Sequence, residues 1–311
     1  MMPSTDLASR LDRAFFYSPL RFLRQKRTEL GQEVLDEIAG LVETGKVERI
    51  GDAAQVHLAH LAWDSAFFGM PIYSLRFPDW KAGLADPIQA LTRTICEAVS
   101  IVRARDPRSY IFAEIPSEDI ITLQALGWAR ARLIETRVVY FRDDIATYES
   151  RRRYPVRVAN EADIPNLRLV SADAINPYDR FHADPAFSAD SATRFLATFA
   201  ENSVRGFADV VMVPGDDAPA GAFITAKLLP GLGARAGVTA GKIVLAASSK
   251  QRTGWSYKIT SELSHWFRER GVGVVFFTTQ TTNLRLTRYV DALGYKYGGA
   301  SHVFSIAGAA E

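Results

Sequence analysis

A single cysteine, Cys96, in 311 residues excludes any internal disulfide, and five histidines, none at ligand spacing from it, give no Cys/His donor set for zinc. No metal is expected, and the thiol usage fits a reducing, cytoplasmic compartment. No stretch approaches the about 18 consecutive apolar residues that span a bilayer, and residues 1–27 hold no apolar run of signal-peptide length. The chain is expected to be neither membrane-spanning nor secreted. An excess of one charge is missing too: 37 Lys and Arg stand against 35 Asp and Glu, a net charge of +2 that leaves no footprint for nucleic acid. A small anion remains allowed, because a few backbone N–H groups and one Arg bind phosphate without shifting the global balance. With 48% apolar and 23% charged residues the chain is globular, and its length leaves room for two domains of about 150 residues.

What is present divides the chain. The polar stretch from Arg142 to Pro155 separates two strand candidates, and the domain boundary is placed there. Ahead of it, 32–43 and 88–102 carry apolar residues at helical spacing, while Tyr110-Ile-Phe-Ala and Arg137-Val-Val-Tyr-Phe are rich in strand formers. The amphipathic, basic segment from Leu7 onward reads as a helix packed on the rest of the protein, with interfacial binding as the alternative. Beyond the boundary the order is a strand (156–158), a helix opening at Asn160, a loop and a second helix (190–202). A hairpin follows, with strands 208–213 and 221–226 about the turn Pro214-Gly-Asp-Asp-Ala-Pro. Next come a strand (242–248) and a helix with Ile259, Leu263, Trp266 and Phe267 on one face, stopped by Gly271. A buried strand from Val272, a helix opened by Asn283 and a last strand from His302 complete the chain. The expected layout is a helical extension over 1–55, a smaller α/β domain over 56–150 and a second domain over 151–311. Leu126-Gly127-Trp128 and Leu293-Gly294-Tyr295, each after a strand and a short helix, hint at an internal repeat, although Gly as a helix stop accounts for the same pattern.

The most informative stretch is Ile243-Val-Leu-Ala-Ala-Ser-Ser-Lys-Gln251-Arg252-Thr253-Gly254-Trp255-Ser256-Tyr257. A strand entering a short Gly-containing loop that opens a helix points several unpaired N–H groups at one spot, which attracts phosphate. No Gly-Lys-Ser/Thr follows, so this is not a P-loop, and the further glycines of a dinucleotide fingerprint are missing. Gln251-x-x-Gly254-x-Ser256 resembles the Gln/Arg-x-x-Gly-x-Gly/Ala pattern of the GNAT acyltransferases, with Ser256 where Gly or Ala is usual. Downstream, Asn283-Leu-Arg-Leu-Thr-Arg-Tyr-Val-Asp-Ala-Leu293-Gly294-Tyr295 resembles that family's Asn-x-x-Ala-x-x-x-Tyr-x-x-Leu-Gly-Phe run in order and spacing. Trp63-Asp64-Ser65-Ala-Phe67-Phe68-Gly69 and Arg180-Phe181-His182-Ala183-Asp184-Pro185 are similar to segments of the GNAT enzymes that acetylate nucleotide-linked amino sugars, the TDP-fucosamine N-acetyltransferase group.

The resemblance implies an α/β fold of GNAT type, a mixed and mostly antiparallel sheet flanked by helices, with a partial GNAT-like domain over 56–150 and the acyl-CoA-binding domain over 151–311. It implies acetyl-CoA as cofactor and a small-molecule amine as acceptor, a nucleotide-linked amino-deoxy sugar, acetylated by direct transfer. Backbone at Val244, Leu245 and Ala246 would polarise the thioester, Gln251, Arg252, Thr253, Gly254, Trp255 and Ser256 would hold the pyrophosphate, and Asn283 would touch the cofactor. Where the family's Tyr protonates the leaving thiolate stands Val290, with Tyr289 about 100° round the helix. The acid is left unassigned. His182 and Asp184 are candidates for removing the amine proton, and Arg180, Phe181, Asp64 and Trp63 for contacting the acceptor. The competing readings are capping of the next helix by His182 and Asp184, and core packing of Trp63 with Phe67 and Phe68. Two other functions stay open: a degenerate GNAT protein that binds acyl-CoA or a partner without transfer, and transfer to an amino acid, polyamine or protein amine. A homodimer is also open. Of the remaining residues, His57 and His60 read as surface or packing residues, His265 as lying on the polar side of its helix, and Cys96 as a buried, inert thiol. Arg151-Arg152-Arg153 reads as a solvated linker run, with steering of an anionic nucleotide as the alternative.

Overall fold

The structure, a computed structural model, describes residues 5–150, 152–216 and 218–306. Arg151 and Asp217, named in the linker run and the hairpin turn, lie outside the described residues. The chain forms two compact units, Met1–Arg137 with Gly299–Glu311, and Val138–Gly298.

The first unit opens with helices α1 (Thr5–Tyr17) and α2 (Arg27–Glu43), then strands β1 (Val47–Ile50) and β2 (Ala54–His60). A short helix α3 (Ala62–Phe68), strand β3 (Ile72–Trp80), helix α4 (Pro87–Arg105), strand β4 (Tyr110–Pro116), helix α5 (Ile120–Trp128) and strand β5 (Arg132–Arg142) follow. Its sheet runs β1-β2-β3-β4 and then takes the chain's last strand, β11 (Lys296–Ser305). The registered pairs are antiparallel except β3 with β4, which is parallel from Ile72 opposite Tyr110 to Leu75 opposite Ala113. Helix α4 starts where Asp86 accepts from the Gln89 N–H and Pro87 occupies the first turn. Its inner face, Leu91, Ile95, Ala98 and Val102, closes a core with Val56, Leu58, Ile111 and Ile115. Burial of each Leu, Ile or Val side chain among them stabilises by about 1.5–3 kcal/mol. Cys96 is on the opposite, exposed face of α4, because it follows Ile95 by one residue and thus about 100° of turn. The expectation of a buried thiol is therefore corrected. The N-terminal segment is a packed helix, with Leu11, Ala14 and Phe15 buried and Leu11 and Ala14 against Val34, Leu35 and Ile38.

The second unit contains β6 (Val156–Val158), α6 (Ile164–Asp173), the single turn α7 (Arg180–Ala183), α8 (Ala189–Asn202), β7 (Val210–Pro214) and β8 (Ala222–Leu229). It continues with β9 (Ala240–Ser248), α9 (Trp255–Arg268), β10 (Val274–Gln280) and α10 (Leu284–Val290). The sheet order is β6-β7-β8-β9-β10-β5, antiparallel in every registered pair except β9 with β10. Alternation along the strands supplies both faces. Val210, Met212, Ile224 and Ala226 pack toward Ile259, Leu263 and Phe267 of α9, whereas Val211, Val213 and Phe223 pack toward Leu167 and Val170 of α6 and Ala200 of α8. Each unit is thus a mixed, mostly antiparallel sheet flanked by helices, the architecture the resemblance implies. The run β3-α4-β4-α5-β5 and the run β9-α9-β10-α10-β11 share one order and one parallel pair, which extends the two Leu-Gly-aromatic triplets into a repeated supersecondary pattern.

Candidate functional site

Strand β9 carries one residue more than its partner. Thr225 faces Leu245 but Ala226 faces Ile243, so Val244 is the extra residue of a β-bulge. On its other edge β9 pairs with β10 only from Ala240 opposite Val274 to Lys242 opposite Phe276, while the two strands run on to Ser248 and Gln280. They part where the bulge re-aims β9, and backbone along 243–248 has no ladder with β10. Val244 and Leu245 are half-buried there and Ala246 is exposed, with the Leu245 N–H donating to Thr225 Oγ1 at 3.0 Å.

The chain leaving β9 makes a tight turn over Lys250–Arg252, held by the Ser248 hydroxyl on the Arg252 carbonyl (3.0 Å) and the Thr253 hydroxyl on the Lys250 carbonyl (2.8 Å). Gly254 then takes φ +85°, a left-handed conformation that favours glycine, and a Cβ there would point into open space. No side chain caps α9, so its first-turn N–H groups have neither a helical partner nor a side-chain acceptor. The corresponding helix of the first unit, α4, is closed by its own Asp86 carboxylate. Of these two helices, α9 is the one whose opening N–H groups are left for an outside anion. Arg252 makes a bidentate ion pair with Asp216 (2.6 and 3.0 Å), which holds the Asp216 carboxyl below the usual carboxylate range. Gln251 and Thr253 are exposed, Trp255 and Ser256 half-buried, and the Lys258 ammonium sits 4.5 Å over the Trp255 ring.

Asn283 caps α10: its Oδ1 accepts from the Leu286 N–H (3.2 Å) and its amide nitrogen donates to Thr279 Oγ1 (3.0 Å). Val290 is 2% exposed among Leu263, Phe277 and Leu293, so this turn of α10 presents an alkyl group to the core.

The segment 176–184 is tied to the end of β10 through the Asn176 amide, which donates to Gln280 Oε1 at 3.1 Å. Asp179 opens α7, its Oδ1 accepting from the N–H groups of Phe181 (2.9 Å) and His182 (3.0 Å). Its Oδ2 lies 2.8 Å from His182 Nδ1, and His182 Nε2 faces the Thr193 hydroxyl of α8 at 3.4 Å. The carboxylate beside His182 is therefore Asp179, three residues ahead of it. Asp184 is 1% exposed and accepts from the Ala186 N–H (3.0 Å). Arg180 is 8% exposed with its guanidinium 4.3 Å over the Phe181 ring, and Phe181 packs on Phe187 and Phe195. Asp179 was missed in the sequence, though a helix-opening Asp three residues before His is a legible capping signal.

In the first unit, Trp63 and Asp64 lie on α3, which buries none of its residues. Trp63 is 40% exposed and stacks on Phe67 at 5.9 Å, so the core reading of this Trp is corrected: a two-turn helix ended by Gly69 at φ +66° keeps it on the surface. His265 is corrected as well, being 4% exposed, packed on Tyr148 at 4.9 Å, with neither ring nitrogen hydrogen-bonded. Arg153, read as part of a solvated run, donates to the buried Glu262 (2.8 Å).

No family model matches the chain. Over 208 residues it is 27% identical to the dTDP-fucosamine acetyltransferase of Escherichia coli O6:H1, an alignment covering 63% of this chain and 79% of that protein. Among solved structures it is similar to a GCN5-related N-acetyltransferase from Sphaerobacter thermophilus, with a TM-score of 0.55, 11% identity and coverage of 96% of this chain and 90% of that one. It is also similar to a tandem GNAT protein from the clavulanic acid biosynthesis pathway, with a TM-score of 0.50, 11% identity and coverage of 83% and 80%. The bulged, splayed strand pair that ends at an uncapped helix thus sits in a chain whose fold is that of the GCN5-related N-acetyltransferases.

Proposed function

We propose that this protein is an acetyl-CoA-dependent N-acetyltransferase whose acceptor is the amine of a nucleotide-linked amino-deoxy sugar. The observation that carries the reading is the parting of β9 from β10 at Lys242 and Phe276, next to an α9 N-terminus that no side chain caps and a Gly254 whose Cβ direction is open. Those groups fit a pyrophosphate: the first-turn N–H groups donate, and the positive end of the helix favours the charge. Residues 251–256 would hold it, with Asn283 beside the cofactor, and backbone along 244–246 would donate to the thioester carbonyl. When bound, acetyl-CoA supplies the acetyl group as a thioester. His182, anchored through 176–184 to the end of β10, takes the proton from the acceptor amine. Asp184 is assigned to removal of the amine proton, and Arg180, Phe181, Trp63 and Asp64 to the acceptor, only by the motif resemblance. The sugar acceptor is supported by the dTDP-fucosamine acetyltransferase relative alone.

Val290 favours a second reading, binding of acyl-CoA without transfer, because a buried alkyl group cannot protonate a thiolate. Titration calorimetry of the full chain with acetyl-CoA, with ATP as control, followed by thiol release with amino-sugar nucleotides, separates the two. Saturable acetyl-CoA binding with turnover is expected. Binding without thiol release from any amine offered would establish the second reading, and no binding at millimolar ligand would end both.

A further inference from the structure

The carboxylate of Asp179 is divided between two tasks by geometry. Oδ1 accepts both N–H groups that open α7, and Oδ2 faces His182 Nδ1 at 2.8 Å. An ionised carboxylate only accepts, so neutral His182 must carry its proton on Nδ1 and leave the lone pair on Nε2. The Thr193 hydroxyl, 3.4 Å from Nε2, makes only a long contact to that lone pair, compatible with the same tautomer and given up when an amine approaches Nε2. The imidazole is also held in place: its side chain is 8% exposed, between α7 and α8.

We infer that Asp179 is the positioning residue of the acceptor loop, fixing His182 as the Nδ1–H tautomer with Nε2 as proton acceptor. The inference rests on the transferase reading above. As the amine nitrogen bonds to the acetyl carbon and the carbon–sulfur bond breaks, the amine proton passes to Nε2. The resulting imidazolium is paired with Asp179, and the CoA thiolate departs to take a proton from solvent.

Asp179→Asn tests this without removing the cap, because the amide oxygen still serves the Phe181 and His182 N–H groups. The amide nitrogen then faces Nδ1 and donates to it, which moves the imidazole proton to Nε2. Nitrogen NMR of the full chain labelled at histidine, recorded at about pH 8.5 where a free imidazole is neutral and assigned with His182→Gln, reads the tautomer directly. The wild type should show Nδ1–H and D179N should show Nε2–H. In thiol-release kinetics D179N should lose about 10²-fold or more in kcat with KM for acetyl-CoA unchanged. An Nε2–H tautomer in the wild type, or a D179N kcat within two-fold of wild type, overturns the inference. A wild type that turns over no amine overturns the transferase reading instead, and the NMR result alone then upholds or overturns the positioning role.

Discussion

Gly254 joins two requirements in one residue, a backbone at φ +85° and an empty Cβ direction at the opening of α9. Gly254→Val should therefore cost about 1–3 kcal/mol in folding stability through backbone strain and abolish acetyl-CoA binding by filling the position proposed for the pyrophosphate. Urea unfolding and calorimetry read the two effects separately, and unchanged affinity would remove the phosphate-loop assignment. His265 makes a pH argument at the same scale. Burial pushes its imidazole below the usual histidine range, Arg153 and Arg268 push the same way, and Glu262 and Glu269 oppose them. The unfolded chain then binds a proton near pH 6.5 that the folded chain refuses, so stability is full above about pH 6.5 and falls as pH drops below it. One such group contributes at most about 1.4 kcal/mol per pH unit, and His57, also lowered by burial, adds a second share. His265→Phe should reduce this slope between about pH 6.5 and 5, and raise stability at neutral pH by about 1–3 kcal/mol because two buried, unpartnered nitrogens are removed. Urea midpoints across that range check it; an unchanged slope would exclude His265 as a source. Sequence pattern reached Gly254 because a glycine at a strand-to-helix turn is itself a signal. It could not reach the environment of His265, since Tyr148 and Arg153 approach it from far along the chain.

Elements were legible in proportion to their periodicity. Helices α2, α4, α8 and α9 were visible because apolar residues recur at helical spacing along them, and strands β4 to β11 because runs of strand formers stand between polar or turn residues. Strands β1 to β3 were passed over: Val47–Ile50 is only four residues with two charged, and β3 contains Arg76, Pro78 and Asp79, which depress strand propensity. The Val244 bulge, which the candidate site depends on, has no composition of its own and shows only in the register with β8. Helix pairing is equally silent, as Gly31 illustrates. A Cβ at Gly31 of α2 would lie 2.4 Å from the Leu11 carbonyl oxygen of α1, so the two backbones touch there. Gly31→Val should force the helices apart and cost about 1–3 kcal/mol or more, measured by urea unfolding. A loss under half a kilocalorie would mean that α1 shifts freely on α2.

The two compact units change over inside β5, at Arg137 and Val138, and again inside β11, at Gly298 and Gly299. The second unit thus includes residues 138–142 of β5, and the first includes residues 299–305 of β11. Glu135-Thr136-Arg137 precedes the first changeover and Gly298-Gly299, with Gly299 at φ +132°, sits at the second, but each lies inside a continuous strand, so neither reads as a linker in the way that the polar stretch 142–155 does. Cutting the chain there would give a fragment 151–311 without the β5 residues that flank β10, leaving an apolar strand edge open, and carrying a β11 tail without its β4 partner. The fragment 1–150 would lose Ser301 and His302 from its sheet, and with them the Ser301 hydroxyl on Glu114 (2.7 Å) and the His302 contacts with Ser117 and Thr136 (3.2 and 3.1 Å). Glu114 also pairs with Arg137 (2.7 Å), so the loss would strip one partner from a largely covered ionic cluster. Each fragment expressed alone should be insoluble or bind hydrophobic dye as an expanded state, whereas co-expression should restore a soluble complex that elutes with the full-length chain and binds acetyl-CoA. If 151–311 alone gives a monodisperse, cooperatively unfolding species with acetyl-CoA affinity within a few-fold of the intact protein, β5 is dispensable to the second sheet.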